Sequence, residues 1–196
     1  MTASVRARLI QDLLGSAHIF STAVNDLMEK RLHAVTGEQL TFSQLKLLKL
    51  VARAEAYNIS EVAAFLGVSN AAASKGVDRL VRRGLLTRHE AEGDRRAVQL
   101  GLTAEGEHLL GEYERVLEEA LEEVFGAFTE DGLQQTAEQL DRLSVRLVGE
   151  DADAEERCFR CSIFFREKCL LRAQEGRTCH FHLQRHRKSR DSSGPG

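Results

Sequence analysis

The feature that most constrains the fold of this chain is a pair of short helices separated by a three-residue turn. Ser60 is placed to cap a helix over residues 61–66, because its hydroxyl can accept a hydrogen bond from a free backbone N–H of the first turn. The turn begins at Gly67, and a glycine adopts the left-handed conformation at little cost. Ser69 is placed to cap a second helix over residues 70–83. The pattern predicts a helix-turn-helix, although a plain helical hairpin in a core has the same local pattern.

The segment that follows is typical of a β-hairpin. Residues 85–90 and 97–102 are predicted strands, and the connection over residues 91–96 is polar and contains a glycine. A helix-turn-helix followed directly by a hairpin is a winged helix-turn-helix. Amphipathic spacing predicts helices on both sides of this unit, over residues 5–33, 44–52, 104–126 and 129–148.

Composition supports a mostly helical protein with a small two-stranded wing. The chain has one proline, no tryptophan and many Leu, Ala and Glu residues. Its 42% of hydrophobic and 29% of charged residues are typical of a soluble globular protein. No apolar run approaches the ~18 residues that a membrane span needs, and the first eight residues are not followed by the apolar core of a signal peptide. We therefore expect a cytoplasmic protein with no membrane partner.

Residues 40–106 resemble the DNA-binding core of the MarR-type regulators (multiple antibiotic resistance regulators). The blocks that carry the resemblance are LT (40–41), VAAFLGVS (62–69), VDRL (77–80), GLL (84–86), GDRR (93–96) and LTAEG (102–106). The flanking helices match as well, so the resemblance extends over residues 5–148. It implies long dimerisation helices from both chain ends, a homodimer on a pseudo-palindromic site in double-stranded DNA, and a transcriptional regulator, which we expect to be a repressor.

The resemblance implies that the helix over residues 70–83 enters the major groove. Its candidate contacts are Ser69, Asn70, Ser74, Lys75 and Arg79. Asn can pair with adenine, Lys with guanine or phosphate, and Ser with bases or phosphate. Residues 71–73 are alanines where many relatives carry polar side chains. Either this helix contacts few bases directly, or these alanines form a packing face.

The wing carries the sharper signal for DNA binding. By the family pattern, one of Arg95 and Arg96 enters the narrow minor groove, while Asp94 braces a neighbouring arginine by a charge-assisted hydrogen bond. The alternative is an ordinary charged hairpin tip. Arg88 is a further candidate for phosphate contact, with Arg82 and Arg83, and a solvated basic face is the alternative for all three.

Charge is sorted by segment along the chain. Residues 104–156 contain seventeen acidic and three basic residues, whereas residues 157–190 contain ten basic and two acidic ones. Phosphates repel the acidic helices, so we expect these helices to pack on the first helix and on a partner subunit instead. The basic tail can contact DNA, so the net charge of -3 does not exclude nucleic acid.

All four cysteines lie in this basic tail: Cys158, Cys161, Cys169 and Cys179. In a reducing compartment such a cluster is more often a metal or redox site than a disulfide framework. Four thiolates suit tetrahedral zinc or an iron–sulfur cluster. The uneven spacing and the apolar residues around the cysteines favour the cluster over zinc by a small margin, and a metal-free thiol switch is the third possibility. We expect the centre to fold the tail onto the dimerisation helices and to sense redox state, oxygen or nitric oxide.

These features divide the chain into five parts. They are a dimerisation helix (1–36), a winged helix-turn-helix (37–103), two dimerisation helices (104–150), a metal-binding tail (151–190) and a disordered end (191–196). A winged-helix interaction protein with a structural zinc tail is the alternative function. We find no nucleophile–base pair and no phosphate-binding loop, so we expect no enzyme. The sequence identifies no small-molecule effector.

Overall fold

The computed structural model describes residues 4–37, 39–53, 56–91, 94–148, 158, 160–173, 179 and 182. Within these ranges, only the backbone is described for residues 56–57, 90–91 and 94–98. The elements in chain order are α1 (Val5–Thr36), α2 (Phe42–Arg53), β1 (Ala56–Tyr57), α3 (Ile59–Leu66), α4 (Asn70–Arg82), β2 (Leu86–Ala91), β3 (Asp94–Leu102), α5 (Ala104–Phe125), α6 (Glu130–Val148), a 3₁₀ turn (Ser162–Phe164) and α7 (Leu170–Ala173). The prediction of a mostly helical winged helix-turn-helix is confirmed.

The helix-turn-helix consists of α3 and α4. The prediction that Ser60 caps the first helix is wrong. The cap is Asn58, whose side chain accepts the N–H of Glu61 while the Glu61 carboxylate accepts the N–H of Asn58. Gly67 adopts the left-handed conformation (φ 67°), and Ser69 caps α4 by accepting the N–H of Ala72, both as predicted.

The wing is an antiparallel hairpin of β2 and β3. Its connection is shorter than the predicted 91–96, because β2 continues to Ala91 and β3 already begins at Asp94. The ladder shifts register near the tip, where Glu90 pairs with Val98 but Ala91 pairs with Asp94. A strand that the sequence did not predict, β1, pairs antiparallel with the far edge of β3, so the sheet order is β1-β3-β2.

One hydrophobic core joins the winged unit to the long helices. It combines Met28 and Leu32 of α1 with the leucines of α2, the inner faces of α3 and α4, and Leu110, Tyr113 and Leu117 of α5. Gly106 allows α5 to start against the helix-turn-helix, because a Cβ there would collide with the carbonyl oxygen of Leu85. Helices α4 and α5 are therefore held in one packed body.

Large apolar side chains are left exposed on the first half of α1 and along α6. They are Val5, Leu9, Ile10, Leu13, Leu14, Ile19 and Phe20 on α1, and Leu133, Leu140, Leu143 and Leu147 on α6. No residue of α6 is buried within the described chain. None of the described helices is long and apolar enough to cross a membrane. Large exposed apolar patches mark sites of interaction with another protein or with a membrane.

The described part of the tail packs on two different elements. Ile163 is buried in the main core, and Phe165, which is buried as well, lies with its ring centre 4.7 Å from the Arg53 guanidinium at the end of α2. Arg166 forms a two-point ion pair with Asp141 of α6, in which Nη2 lies 2.9 Å from Oδ2. The tail thus contacts a predicted dimerisation helix, as expected, and also the winged unit, which was not expected.

Candidate nucleic-acid interface

Helix α4 presents a polar outer face with several cations. Its inner face is buried through Ala73, Val77 and Leu80, which fixes its rotation on the core. Asn70, Lys75 and Arg79 are exposed on the outside, and Ser74 is half-buried. Ala73 therefore has the packing role that the sequence left open for the alanines at 71–73, whereas the other two are exposed. The exposed face carries the donor groups that base edges and phosphates accept.

The start of α4 is held in place by side-chain hydrogen bonds. The Ser69 hydroxyl accepts the N–H of Ala72 at 3.3 Å, so it stabilises the helix end at which anions are favoured. The Asn70 amide donates to the hydroxyl of Ser60 on α3 at 3.4 Å. Ser60, wrongly predicted as a cap, thus links the two helices of the motif next to a candidate base-reading residue.

An ion pair links α4 to the wing. Arg88 of β2 donates from Nη1 to Oδ1 of Asp78 on α4 over 2.7 Å, and both side chains remain partly exposed. Arg82 donates to the carbonyl of Asp78, and Arg83 donates to the carbonyl of Gln39. The predicted phosphate-binding arginines are therefore present at the surface, and each has an intramolecular partner that sets its position.

The wing tip carries the other predicted contacts. The backbone places Asp94, Arg95 and Arg96 at the start of β3, with Asp94 opposite Ala91. Their side chains lie outside the described part of the structure. Entry of an arginine into the minor groove, braced by Asp94, stays a prediction from the resemblance.

The four cysteines line a single cavity of about 350 Å³ between α6 and the tail. Asp141, Ser144, Leu147 and Val148 form its wall on α6. Cys158 and Cys179 lie side by side in a parallel backbone bridge. The structure therefore brings together the four residues that the sequence singled out, across a separation of 21 positions along the chain.

Among the residues that line the cavity, Cys161 has a thiol whose pKa is clearly shifted. Burial raises the pKa of its thiol, repulsion from the other three cysteines adds to the rise, and a hydrogen bond from the backbone N–H of Arg166 opposes it. The ion pair with Asp141 raises the pKa of Arg166. Within the described part of the chain, no three His, Cys, Asp or Glu side chains are arranged to hold a single metal ion. His180 and His186, which follow the last cysteine, lie outside the described residues.

Comparison with known proteins identifies the winged unit. Residues 38–97 match the model of the MarR family. The chain has the MarR winged-helix fold. A MarR family protein from Bacillus stearothermophilus superimposes with a TM-score of 0.63 at 18% identity, over 74% of this chain and 99% of that one. A mutant MarR from E. coli complexed with operator DNA gives 0.57 at 21%, over 72% and 99%. YusO from Bacillus subtilis gives 0.55 at 23%, over 72% and 98%.

Two features of the structure were not predicted from the sequence. Asp78 is the acidic residue of an otherwise basic helix, and that contrast is the signal that could have predicted its ion pair with Arg88. Ile163 and Phe165 interrupt a strongly basic tail, and apolar residues in such a setting indicate a docking segment. The MarR match ends at residue 97, so it says nothing of the tail.

Proposed function

We propose that this protein is a DNA-binding transcriptional regulator, without enzymatic activity, that acts in the cytoplasm as a homodimeric repressor. The observation that carries the proposal is the exposed cationic face of a rigidly packed α4, linked to the wing by the pair of Asp78 and Arg88. MarR from E. coli, which has the same fold, was solved with its operator DNA. A repressor of this kind acts by occupying its operator.

In this proposal α4 lies in the major groove and the wing lies along the neighbouring minor groove. Asn70, Ser74 and Lys75 read base edges near the start of the helix, while Ser69 and Arg79 add phosphate contacts. Arg88 contacts phosphate at the base of the wing. Asp94, Arg95 and Arg96 supply the minor-groove contact at the wing tip.

The homodimer is supported by the apolar side chains that α1 and α6 leave exposed. Helices that precede and follow the winged unit carry these surfaces. Burial of one exposed leucine or phenylalanine side chain is worth about 1.5–3 kcal/mol. Pairing the two helices with those of a second copy therefore stabilises a dimer and gives the twofold symmetry that a palindromic site requires.

We also propose that the four cysteines hold a metal centre, an iron–sulfur cluster or a zinc ion, that senses redox state, oxygen or nitric oxide. Support comes from their convergence on one cavity and from the contacts of the tail with both α2 and α6. A tail that is stabilised by metal binding can then set the position of the winged unit relative to the dimerisation helices.

Selection of duplex DNA from a random pool by the full-length protein tests the regulator proposal. We expect enrichment of a twofold-symmetric sequence whose half-sites lie about one helical turn apart. A matched control is the Arg115→Ala variant, because Arg115 is an exposed arginine on the acidic helix α5. It should enrich the same sequence. Recovery of no common sequence contradicts the proposal and favours a winged-helix interaction protein with a structural tail.

A further inference from the structure

The cavity between α6 and the tail has room for more than one metal ion. In a tetrahedral zinc–thiolate site with Zn–S bonds of about 2.3 Å, the sulfurs lie roughly 3.8 Å apart and leave no space between them. The four cysteines, together with eight other residues, line a cavity of about 350 Å³. That volume is several times the ~30 Å³ that one water molecule occupies in the liquid.

The arrangement of the thiols agrees with this size. All four cysteines line the same cavity, and in the described ranges no group of three His, Cys, Asp or Glu side chains is arranged to hold a single metal ion. A four-iron cluster is ligated in that way, because each thiolate binds a different iron at a different corner of an inorganic core. From this geometry we propose that the cavity is the binding site of one four-iron iron–sulfur cluster, ligated by Cys158, Cys161, Cys169 and Cys179.

The remaining side chains at the cavity suit a negatively charged centre. Arg160, Arg166 and Arg172 line it, and Asp141 is the carboxylate on the same wall. Four thiolates around a cluster core of charge 2+ carry a net charge of 2−, which three guanidinium groups and one carboxylate balance. The backbone N–H of Arg166 also donates to the Cys161 sulfur, and such hydrogen bonds are among the groups that tune a cluster. A zinc–tetrathiolate has the same net charge, so the charge does not distinguish the two, and the cavity volume favours the cluster.

The position of the cavity connects the cluster to the winged unit. Cys161 immediately precedes the 3₁₀ turn that places Ile163 in the main core, and Phe164 donates its N–H to the carbonyl of Cys161 at 3.1 Å. Cluster binding at Cys161 therefore holds the segment that docks on α2. The cluster site rests on the proposed metal centre and makes it specific, and its consequence for DNA binding rests on the proposed regulator.

The test is metal and sulfide analysis of the full-length protein purified without oxygen, together with its visible absorption spectrum. We expect iron and acid-labile sulfide in equal amounts, approaching four of each per chain, with less than a tenth as much zinc. The Cys161→Ser variant should lose at least nine-tenths of the iron. The Ser144→Ala variant, which alters the same cavity wall without removing a thiol, should retain it.

One zinc per chain without sulfide overturns the inference, as does a protein with no bound metal. Two iron and two sulfide per chain contradict the arrangement of one iron for each thiolate. The wild-type content decides even where Cys161→Ser does not fold. Binding of the same samples to the selected duplex separates the two proposals. A cluster without DNA binding contradicts only the regulator, and DNA binding without a cluster contradicts only the cluster.

Discussion

The guanidinium of Arg88 lies 2.7 Å from the carboxylate of Asp78, and this ion pair joins β2, the first strand of the wing, to the outer face of α4. Both side chains are partly exposed, and pairs of that kind contribute at most about 1 kcal/mol to stability. The pair therefore matters mainly for geometry. It sets where the wing lies relative to α4.

The Asp78→Asn variant should lose DNA specificity with little loss of stability. Without the carboxylate, Arg88 is free to contact any phosphate, so affinity for unrelated duplexes rises and the ratio of specific to non-specific affinity falls. The free energy of unfolding should change by less than about 1 kcal/mol. Glu119→Gln is the matched control, since it breaks the exposed 2.7 Å pair with Arg115 on α5 and should leave the ratio unchanged. An unaltered ratio in Asp78→Asn contradicts the geometric role.

A charge placed on the apolar face of α1 should dissociate the dimer. Leu13 is exposed beside Leu9 and Phe20, and burying a lysine in a dimer interface at this position is costly. We expect Leu13→Lys to shift the protein from dimer to monomer in sedimentation equilibrium at micromolar concentration. Gln11 lies on the opposite side of the helix, so Gln11→Lys should remain dimeric. If both variants dissociate equally, or if neither dissociates, the dimer interface does not lie on the apolar face of α1.

Docking of the tail on α2 should stabilise the protein through one of two adjacent phenylalanines. Phe165 is 8% exposed and lies under Arg53, whereas Phe164 is 59% exposed. Phe165→Ala should lower the free energy of unfolding by about 3 kcal/mol, as expected for a buried phenylalanine. Phe164→Ala should change it by less than ~0.5 kcal/mol. Chemical denaturation measures both, and equal losses are incompatible with the docking described.

The hydroxyl of Tyr113 should make stability depend on pH in the alkaline range. Burial, and then the charge of Glu114, raise the pKa of Tyr113 above its ordinary value of 10.0, so the folded state resists ionisation. The unfolded chain ionises first, and stability therefore falls as the pH rises above about 10. The hydroxyl is buried with no hydrogen-bond partner in the described residues. Tyr113→Phe should be at least as stable at pH 7 and should lose less stability between pH 9 and pH 10.5.

Local patterns were sufficient to predict most of the winged unit. The cap at Ser69, the left-handed Gly67 and the hairpin depend on neighbouring residues, and all three are confirmed. The cap of α3 was misplaced because Asn58 and Ser60 both suit that position, and only the pairing of Asn58 with Glu61 decides it. The two-residue strand β1 is too short to leave a periodic signal.

Contacts between distant residues were not predictable in the same way. The pair of Arg88 and Asp78 and the docking of Phe165 under Arg53 depend on how separate elements meet. The four cysteines that the sequence grouped do line one cavity, whereas their role as metal ligands stays a prediction. The sequence did not predict that the wall of their cavity includes Asp141 and Ser144 of α6.

The most direct test of the central claim is the salt dependence of binding to the selected duplex and to a scrambled one, measured by fluorescence anisotropy. We predict one dimer per selected duplex, at least 10³-fold tighter binding than to the scrambled duplex, and an affinity that falls steeply with salt. Lys75→Ala and Arg79→Ala should each weaken binding by about 1–3 kcal/mol, whereas Arg115→Ala should not. Equal affinity for both duplexes, or binding that is unaffected by Lys75→Ala and Arg79→Ala together, would contradict the account.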